Sequence, residues 1–297
     1  MRYLDADAVA ALGPARAVEA VTDALRGGLD PTTDPARTAA DLTAGQFLLM
    51  PSETATGAGV KVVTVAPGNP ARGLPRIQAT YLLFDRETLA LRAALDGTAL
   101  TTLRTPAVSV AGVLPRLPAR PLRVTVIGAG PQAEAHVATL AAVRPVEHAT
   151  YLVRDPSRTS LDAVALTSHE ADEVLRSADV VVCATSARTP VFDSALLRDD
   201  AVVIAVGSHE PDARELDAAL LGRATVVVED VATARREAGD VVLAIWDGAI
   251  GPDDLLPMRD VVTGAADVPT DRPMVFKTVG MSWQDLVVAE AVLRRAR

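Results

Sequence analysis

The sequence lacks several things, and each absence excludes a class of protein. It has one cysteine in 297 residues, so no internal disulfide can form. Cys183, within "ADVVVCATS", reads as a small apolar residue of a strand rather than a reactive thiol. Basic residues are not in excess: 29 Lys and Arg face 38 Asp and Glu, for a net charge of -9 and a pI near 5.0. Without surplus cations to displace counterions, nucleic acid is excluded as a partner. No apolar run reaches membrane-spanning length, and the opening "MRYLDADAVAALGPARAVEA" places Asp5, Asp7 and Glu19 where a signal peptide needs an unbroken apolar core. A cytoplasmic location with no membrane partner is the expectation. His, Cys and carboxylate residues nowhere cluster at ligand spacing, so no metal site is expected. His136 and His148 read as structural or exposed, and His169 as part of a helix start.

What remains is rich in core-forming residues: 49% hydrophobic and 23% charged, enough for one large or two ordinary domains. After the Pro-rich break at residues 114–121 comes "LRVTVIGAGPQAEAHVATLAAV": a β-branched run, a glycine turn, then a helical pattern. Gly128 permits the tight turn, Gly130 lets backbone approach a pyrophosphate, and Ala133 stands where helix and strand pack closely. Further buried-strand runs follow in "ATYLV", "ADVVVCAT", "DAVVIAV" and "ATVVVED". Strands alternating with helical segments predict a parallel sheet. The fold class is therefore α/β, with residues 118–273 as a Rossmann dinucleotide-binding domain.

The end of the second strand bears on cofactor choice. An acid there accepts hydrogen bonds from the ribose hydroxyls of NAD and repels the extra phosphate of NADP. Here Val153 takes that place, and Arg154, Ser157 and Arg158 follow as phosphate ligands. NADP(H) is favoured, with NAD(H) open because a one-residue slip would make Asp155 the ribose acceptor. The next crossover is short, with room for a strand at Val164–Leu166 and a helix opened by Thr167-x-x-Glu170, so a loop replaces the crossover helix.

Residues 1–117 differ in texture. Helical stretches at Asp5–Leu12 and Pro14–Arg26 precede a polar loop, then "GVKVVTVAPG", "RIQATYLLFD" and "LALRAALD" read as strands of an antiparallel or mixed sheet. "TALTTLRTPAVSVAGVL" reads as a helix. Arg37, Lys61, Arg76 and Arg104 stand out among these apolar elements, since a cation there calls for an anion. Each is also compatible with an ordinary surface role or a partner carboxylate of its own domain.

Five blocks, "GVKVVTVAPGNPARGLPRI", "LDGTALTTLRTPAVS", "VTVIGAGPQAEAH", "GSHEPDARELD" and "FKTVGMSWQD", together resemble the ornithine cyclodeaminase and mu-crystallin family across nearly the whole chain. The resemblance implies a homodimer. It also implies an α+β substrate-binding and dimerisation domain, residues 1–117 completed by 274–297, with substrate held between it and the Rossmann domain. Arg37, Lys61 and Arg104 match the basic groups around the substrate carboxylate and reacting nitrogen, with Arg76 a further candidate. Thr105, Gly128, Gly130, Pro131 and Gln132 match the pyrophosphate site. Ala184, Thr185 and Ser186, then Val206, Gly207 and Ser208, border ribose and nicotinamide, with Thr278 and Gly280 on the far side.

Two departures from the cyclodeaminases stand out. Their aspartate after the "GS" pair is here His209, and an acid some thirteen positions before the lysine falls at or beside Leu48. A ground-state ammonium needs those anions; an imine needs a proton on nitrogen and hydride on carbon, and a histidine can supply the proton at neutral pH. The resemblance therefore implies an NAD(P)H-dependent reductase of a small cyclic imine carboxylate, with Lys61 and His209 as catalytic residues. A cyclodeaminase or amino-acid dehydrogenase using bound NAD is the alternative, and a non-catalytic NADPH-binding protein a further one. The small-molecule partner is accordingly an imino or amino acid.

Overall fold

The computed structural model describes residues 2–296. The chain forms, in order, β1 (Arg2–Leu4), α1 (Ala6–Ala10), α2 (Pro14–Arg26), β2 (Thr38–Leu42), β3 (Gly45–Glu53), β4 (Ala58–Val65), β5 (Ile77–Phe84), β6 (Leu91–Asp96) and α3 (Gly97–Val113). There follow β7 (Leu122–Ile127), α4 (Pro131–Val143), β8 (Val146–Val153), β9 (Ala163–Ala165), α5 (His169–Ser177), β10 (Val180–Cys183), β11 (Val202–Ala205), α6 (Ala218–Arg223) and β12 (Thr225–Val228). The chain ends with α7 (Val231–Glu237), α8 (Gly239–Trp246), β13 (Leu255–Pro257), α9 (Met258–Thr263), β14 (Met274–Lys277) and α10 (Ser282–Arg295). Two compact units emerge, Met1–Val108 with Gly280–Arg297, and Ser109–Val279; the division falls inside α3 rather than at the Pro-rich break. Among the described residues, no helix is long and apolar enough to cross a membrane.

The first unit holds a six-stranded sheet in the order β1-β6-β5-β4-β3-β2, antiparallel except for β1 beside β6. Direct register places Leu4, Leu95, Tyr81, Lys61 and Met50 in one row across five strands. Alternation then sends the whole row to one face, and all five residues are buried. The apolar members each contribute roughly 1.5–3 kcal/mol of burial; Lys61 is the exception that needs an anion. Helix α10 packs across β3, β4 and β5 and against α2. Helix α2 opens with Pro14 and buries Ala17, Val18, Val21 and Leu25, one stripe at helical spacing.

The second unit holds an eight-stranded sheet, β13-β12-β14-β11-β10-β7-β8-β9, with every neighbouring pair parallel. The short crossover behaves as expected: only a 3-10 turn at Pro156–Arg158 separates β8 from β9. The helix that follows is capped one residue later than Thr167 predicts. Ser168 accepts from the Ala171 amide at 3.1 Å, and Glu170 then falls too early in the first turn to close a capping box.

Two expectations are corrected. The polar loop before β4 contains the β2–β3 hairpin, unreadable because β2 is exposed along its length and so shows no alternation. The carboxy-terminal segment 274–297, expected whole in the first domain, is divided. Residues 274–277 are β14, a central strand hydrogen-bonded between β11 and β12, and only the part from Gly280 joins the first unit. A four-residue run after a proline-rich loop is too short to declare itself as a strand.

One buried contact is specific enough to test. A Cβ on Gly59 would stand 2.1 Å from the Tyr81 hydroxyl, which is buried with no hydrogen-bond partner. Tyr81→Phe should therefore leave stability unchanged or raised, whereas Gly59→Ala should lower it by about 1–3 kcal/mol in denaturant unfolding. A Tyr81→Phe loss as large as that of Gly59→Ala would show that the hydroxyl is paired.

Candidate active site

In the first unit, the site is built from β4, α3 and α10. Lys61 lies inward on β4, and its Nζ donates to Asp285 Oδ2 at 2.8 Å and to Thr101 Oγ1 at 3.5 Å. Arg104, from the middle of α3, pairs through Nε with Asp285 Oδ1 at 3.3 Å and donates through a terminal nitrogen to Gln284 Oε1 at 2.7 Å. Asp285 is wholly buried in the first turn of α10, where a negative charge also meets the positive end of the helix dipole. Burial, foremost, and the repulsion of Arg104 and Arg37 lower the Lys61 pKa to about 8 against the opposing pull of Asp285. Arg37, half-buried just ahead of β2, thus shares this electrostatic environment.

The structure therefore brings together Arg37, Lys61 and Arg104, the trio singled out by sequence. Three cations stand against Asp285, so the cluster carries an excess of positive charge that a bound carboxylate would neutralise. Asp34, three residues before Arg37, accepts from the Trp283 amide at 2.9 Å at the start of α10. Burial raises its pKa to about 6 despite hydrogen bonds from the α10 amides. Asp285 is thus engaged by the cations and Asp34 Oδ2 by the helix terminus, while Asp34 Oδ1 is buried without a partner. Gly280, at φ +82°, lies against Arg104: a Cβ there would approach the two terminal guanidinium nitrogens at 3.0 and 3.1 Å. Arg76 is exposed ahead of β5 and Thr105 is half-buried beside Arg104 on α3. Met50, opposite Lys61 in register, gives the cluster an apolar neighbour, with half-buried Leu48 next on that face.

In the second unit, the parallel strands bring the carboxyl ends of β7, β10, β11 and β14 to one sheet edge. Gly128 has φ +118°, and a Cβ there would stand 2.5 Å from the Ala184 carbonyl, so the turn after β7 touches the loop after β10. At Gly130, N-cap of α4, a Cβ would meet nothing within 4 Å: the backbone presents an open face at a helix amino terminus. Pro131 occupies the first helical turn, Gln132 Oε1 is buried without a partner, and Ala133 is fully buried where helix meets sheet. An open backbone cradle at Gly130, at the amino terminus of α4, fits a dinucleotide pyrophosphate. His136 is structural: buried between the Gln132 carbonyl at 2.7 Å and Ser109 Oγ at 3.0 Å, it is neutral, with burial lowering its pKa to about 4.

Strand β8 ends at Val153. Asp155 is committed to its own turn, accepting from the Ser157 amide at 3.1 Å and the Ser157 hydroxyl at 2.7 Å, while Arg154 and Arg158 are exposed. Thr185 donates through amide and hydroxyl to Glu215, and the Gly207 amide donates to the other Glu215 oxygen. Ala184 and Val206 are hydrogen-bonded at the strand ends, and Ser186 is exposed. Ser208 is buried, while His209 is exposed beyond β11 with its imidazole making no hydrogen bond. The Thr278 hydroxyl donates to Glu229, which also accepts from the Val279 amide at 2.8 Å.

Sequence reasoning missed Asp285, Gln284 and Asp34, and in the second unit Glu215, Asp240 and Lys277. A signal existed for Asp285. It stands in the first turn of a carboxy-terminal segment whose other residues are largely apolar, and a carboxylate buried there requires a cation.

A model of the ornithine cyclodeaminase/mu-crystallin family matches residues 10–297. The Δ1-pyrroline-2-carboxylate/Δ1-piperideine-2-carboxylate reductase of Azospirillum brasilense is 36% identical over 289 residues, covering 94% of this chain and 88% of the relative. The ketimine reductase mu-crystallin of Mus musculus is 31% identical over 241 residues, 78% of this chain and 74% of the relative. Among solved structures, Thermococcus litoralis Δ1-pyrroline-2-carboxylate reductase in complex with NADH and L-proline superposes with a TM-score of 0.86 at 27% identity, covering 100% of this chain and 97% of that one. The chain belongs to the ornithine cyclodeaminase/mu-crystallin family.

Proposed function

We propose that this protein is an NAD(P)H-dependent reductase of a small cyclic ketimine carboxylate, of the pyrroline- or piperideine-2-carboxylate kind that its relatives are named for. The observation that carries the reading is the cluster of buried Lys61 and Arg104, both ion-paired with Asp285 beside apolar Met50, with half-buried Arg37 in the same electrostatic environment. Such a cluster suits an anion attached to an apolar ring. It suits an ammonium group less well, since Asp285 is already ion-paired with Lys61 and Arg104 and the cations outnumber it.

In this reading Arg104 and Arg37 hold the substrate carboxylate, and Lys61, cationic below pH 8, adds a hydrogen bond near the reacting carbon. Bound reduced nicotinamide supplies the hydride that the imine carbon accepts. His209 donates a proton to the imine nitrogen, so that C=N becomes CH–NH with hydride and proton accounted for. Gly128, Gly130, Pro131 and Gln132 hold the pyrophosphate at the α4 terminus, and Thr105, the loops at 184–186 and 206–208, Thr278 and Gly280 complete the cofactor's surroundings. We further infer a preference for NADP(H). Asp155 is occupied by its own turn through the amide and hydroxyl of Ser157, which leaves Arg154 and Arg158 to meet a 2′-phosphate. The exposed apolar residues Leu42 and Phe47, on one face of the first unit's sheet, suit burial in a homodimer, and we place the enzyme in the cytoplasm.

Three measurements check this reading. Arg104→Lys, which keeps the charge but loses the planar fork, should lower kcat/KM for the imine acid by about 100-fold, equivalent to about 3 kcal/mol; an unchanged value would remove Arg104 from the site. A lysine with a depressed pKa is charged below that value, so kcat/KM should have a component that falls as pH rises above about 8, and that component should be lost in Lys61→Met. Arg154→Glu with Arg158→Glu should raise KM for NADPH at least about tenfold while leaving NADH unaffected. Equal loss with both cofactors would contradict the phosphate role.

A further inference from the structure

Of the 29 basic Lys and Arg residues, just two are lysines, Lys61 and Lys277. Both are buried, and each is paired with an aspartate. Lys61 belongs to the proposed chemistry; Lys277 has no part in it. Lys277 ends β14, opposite Ala205 of β11 and Val228 of β12. Its Nζ pairs with Asp240 Oδ2 at 3.0 Å and donates to the Ser208 carbonyl at 2.6 Å.

Asp240, in the first turn of α8, accepts through its other oxygen from the Glu215 and Leu216 amides at 2.7 and 2.8 Å. The Glu215 side chain turns back. It accepts from the Thr185 amide at 2.8 Å, the Thr185 hydroxyl at 2.7 Å and the Gly207 amide at 2.7 Å. Three buried charges thus fasten the loop after β10 and both ends of the segment after β11. That segment is braced elsewhere too. Arg188 pairs with Glu210 at 2.6 Å and Asp212 at 2.5 Å, and the Ser208 hydroxyl donates to the Ala213 carbonyl. A Cβ on Gly239 would fall 1.9 Å from the Ala213 carbonyl oxygen and 2.4 Å from that of Glu210, so α8 presses directly on the loop backbone. Ser208, Glu210 and Asp212 are all committed to these contacts; between them the imidazole of His209 is exposed and makes none.

Buried ion pairs are a poor way to gain stability, because well-packed apolar side chains of similar volume often do as well or better. Their use here points to fixing a geometry. We propose that Lys277, with Asp240 and Glu215, is the positioning device for His209, locking residues 207–210 so that the imidazole is presented in one place at the sheet edge. The proposal rests on the reading of His209 as proton donor.

The test combines kinetics with an observable independent of turnover. Lys277→Met, and the milder Glu215→Gln should the first variant fold poorly, are each made alone and with His209→Asn. Alone, either should lower kcat about tenfold or more, with KM for the imine acid changed by less than about twofold. In the His209→Asn background the same change should cost less than about twofold, because two residues acting through one group are not additive. Full, additive losses in both backgrounds would overturn the proposal. In parallel, the imidazole resonances of nitrogen-15-labelled protein are recorded; the chain has four histidines, and His209 is assigned by its loss in His209→Asn. A single sharp His209 signal that broadens or splits in Lys277→Met and Glu215→Gln supports the proposal; an unchanged signal overturns it. This arm gives its answer even if the protein reduces no imine, so failure of the positioning role and failure of the functional reading are distinguishable.

Discussion

The first unit turns on one carboxylate. Asp285, wholly buried at the start of α10, is the counterion that allows Lys61 and Arg104 to be buried at all. Either cation alone in that apolar setting would carry a desolvation cost of several kcal/mol. Because α10 lies across β3, β4 and β5, the ion pair also ties the end of the chain to the centre of the amino-terminal sheet. Asp34 fastens the same helix from its amino terminus, so the loop leading to Arg37 is fixed by the element that fixes the other two cations. A cluster with positive charge to spare follows from this single constraint: one anion holds two cations and a third stands nearby.

The second unit solves a related problem with the opposite balance of charge. There one buried lysine faces two carboxylates, and what is held is backbone: the Ser208 carbonyl and the amides of Thr185, Gly207, Glu215 and Leu216. The loops at the carboxyl ends of β10 and β11 are the places where a parallel sheet exposes ligand-binding groups, and unbraced loops there would wander. Glycine at 207 and 239 is required by the same closeness, since a Cβ at either position would collide with backbone carbonyls.

Much of this was legible in the sequence, for physical reasons. The β7 turn and α4 could be read because β-branched residues, Gly128, Gly130 and a helical pattern occur in contiguous order, and α2 because its apolar stripe and Pro14 declare it. Arg37, Lys61 and Arg104 were conspicuous as cations among apolar elements, and their convergence followed from resemblance to a family. Their counterion showed only as an acid in a largely apolar segment, and since Asp285 lies 224 residues from Lys61 nothing local marks the pairing. The β2 strand, exposed throughout, carries no alternation, and β14 is too short to show one. Tertiary contacts decided both.

The most direct test of the account is oxidation of NADPH by the purified protein in the presence of Δ1-pyrroline-2-carboxylate or Δ1-piperideine-2-carboxylate, with ornithine and lysine assayed in parallel for ammonia release. The account predicts rapid, imine-dependent oxidation with formation of the cyclic amino acid, and no ammonia from either diamino acid. Ammonia release on catalytic NAD, with neither imine reduced, would contradict it and return the protein to the cyclodeaminase branch of its family.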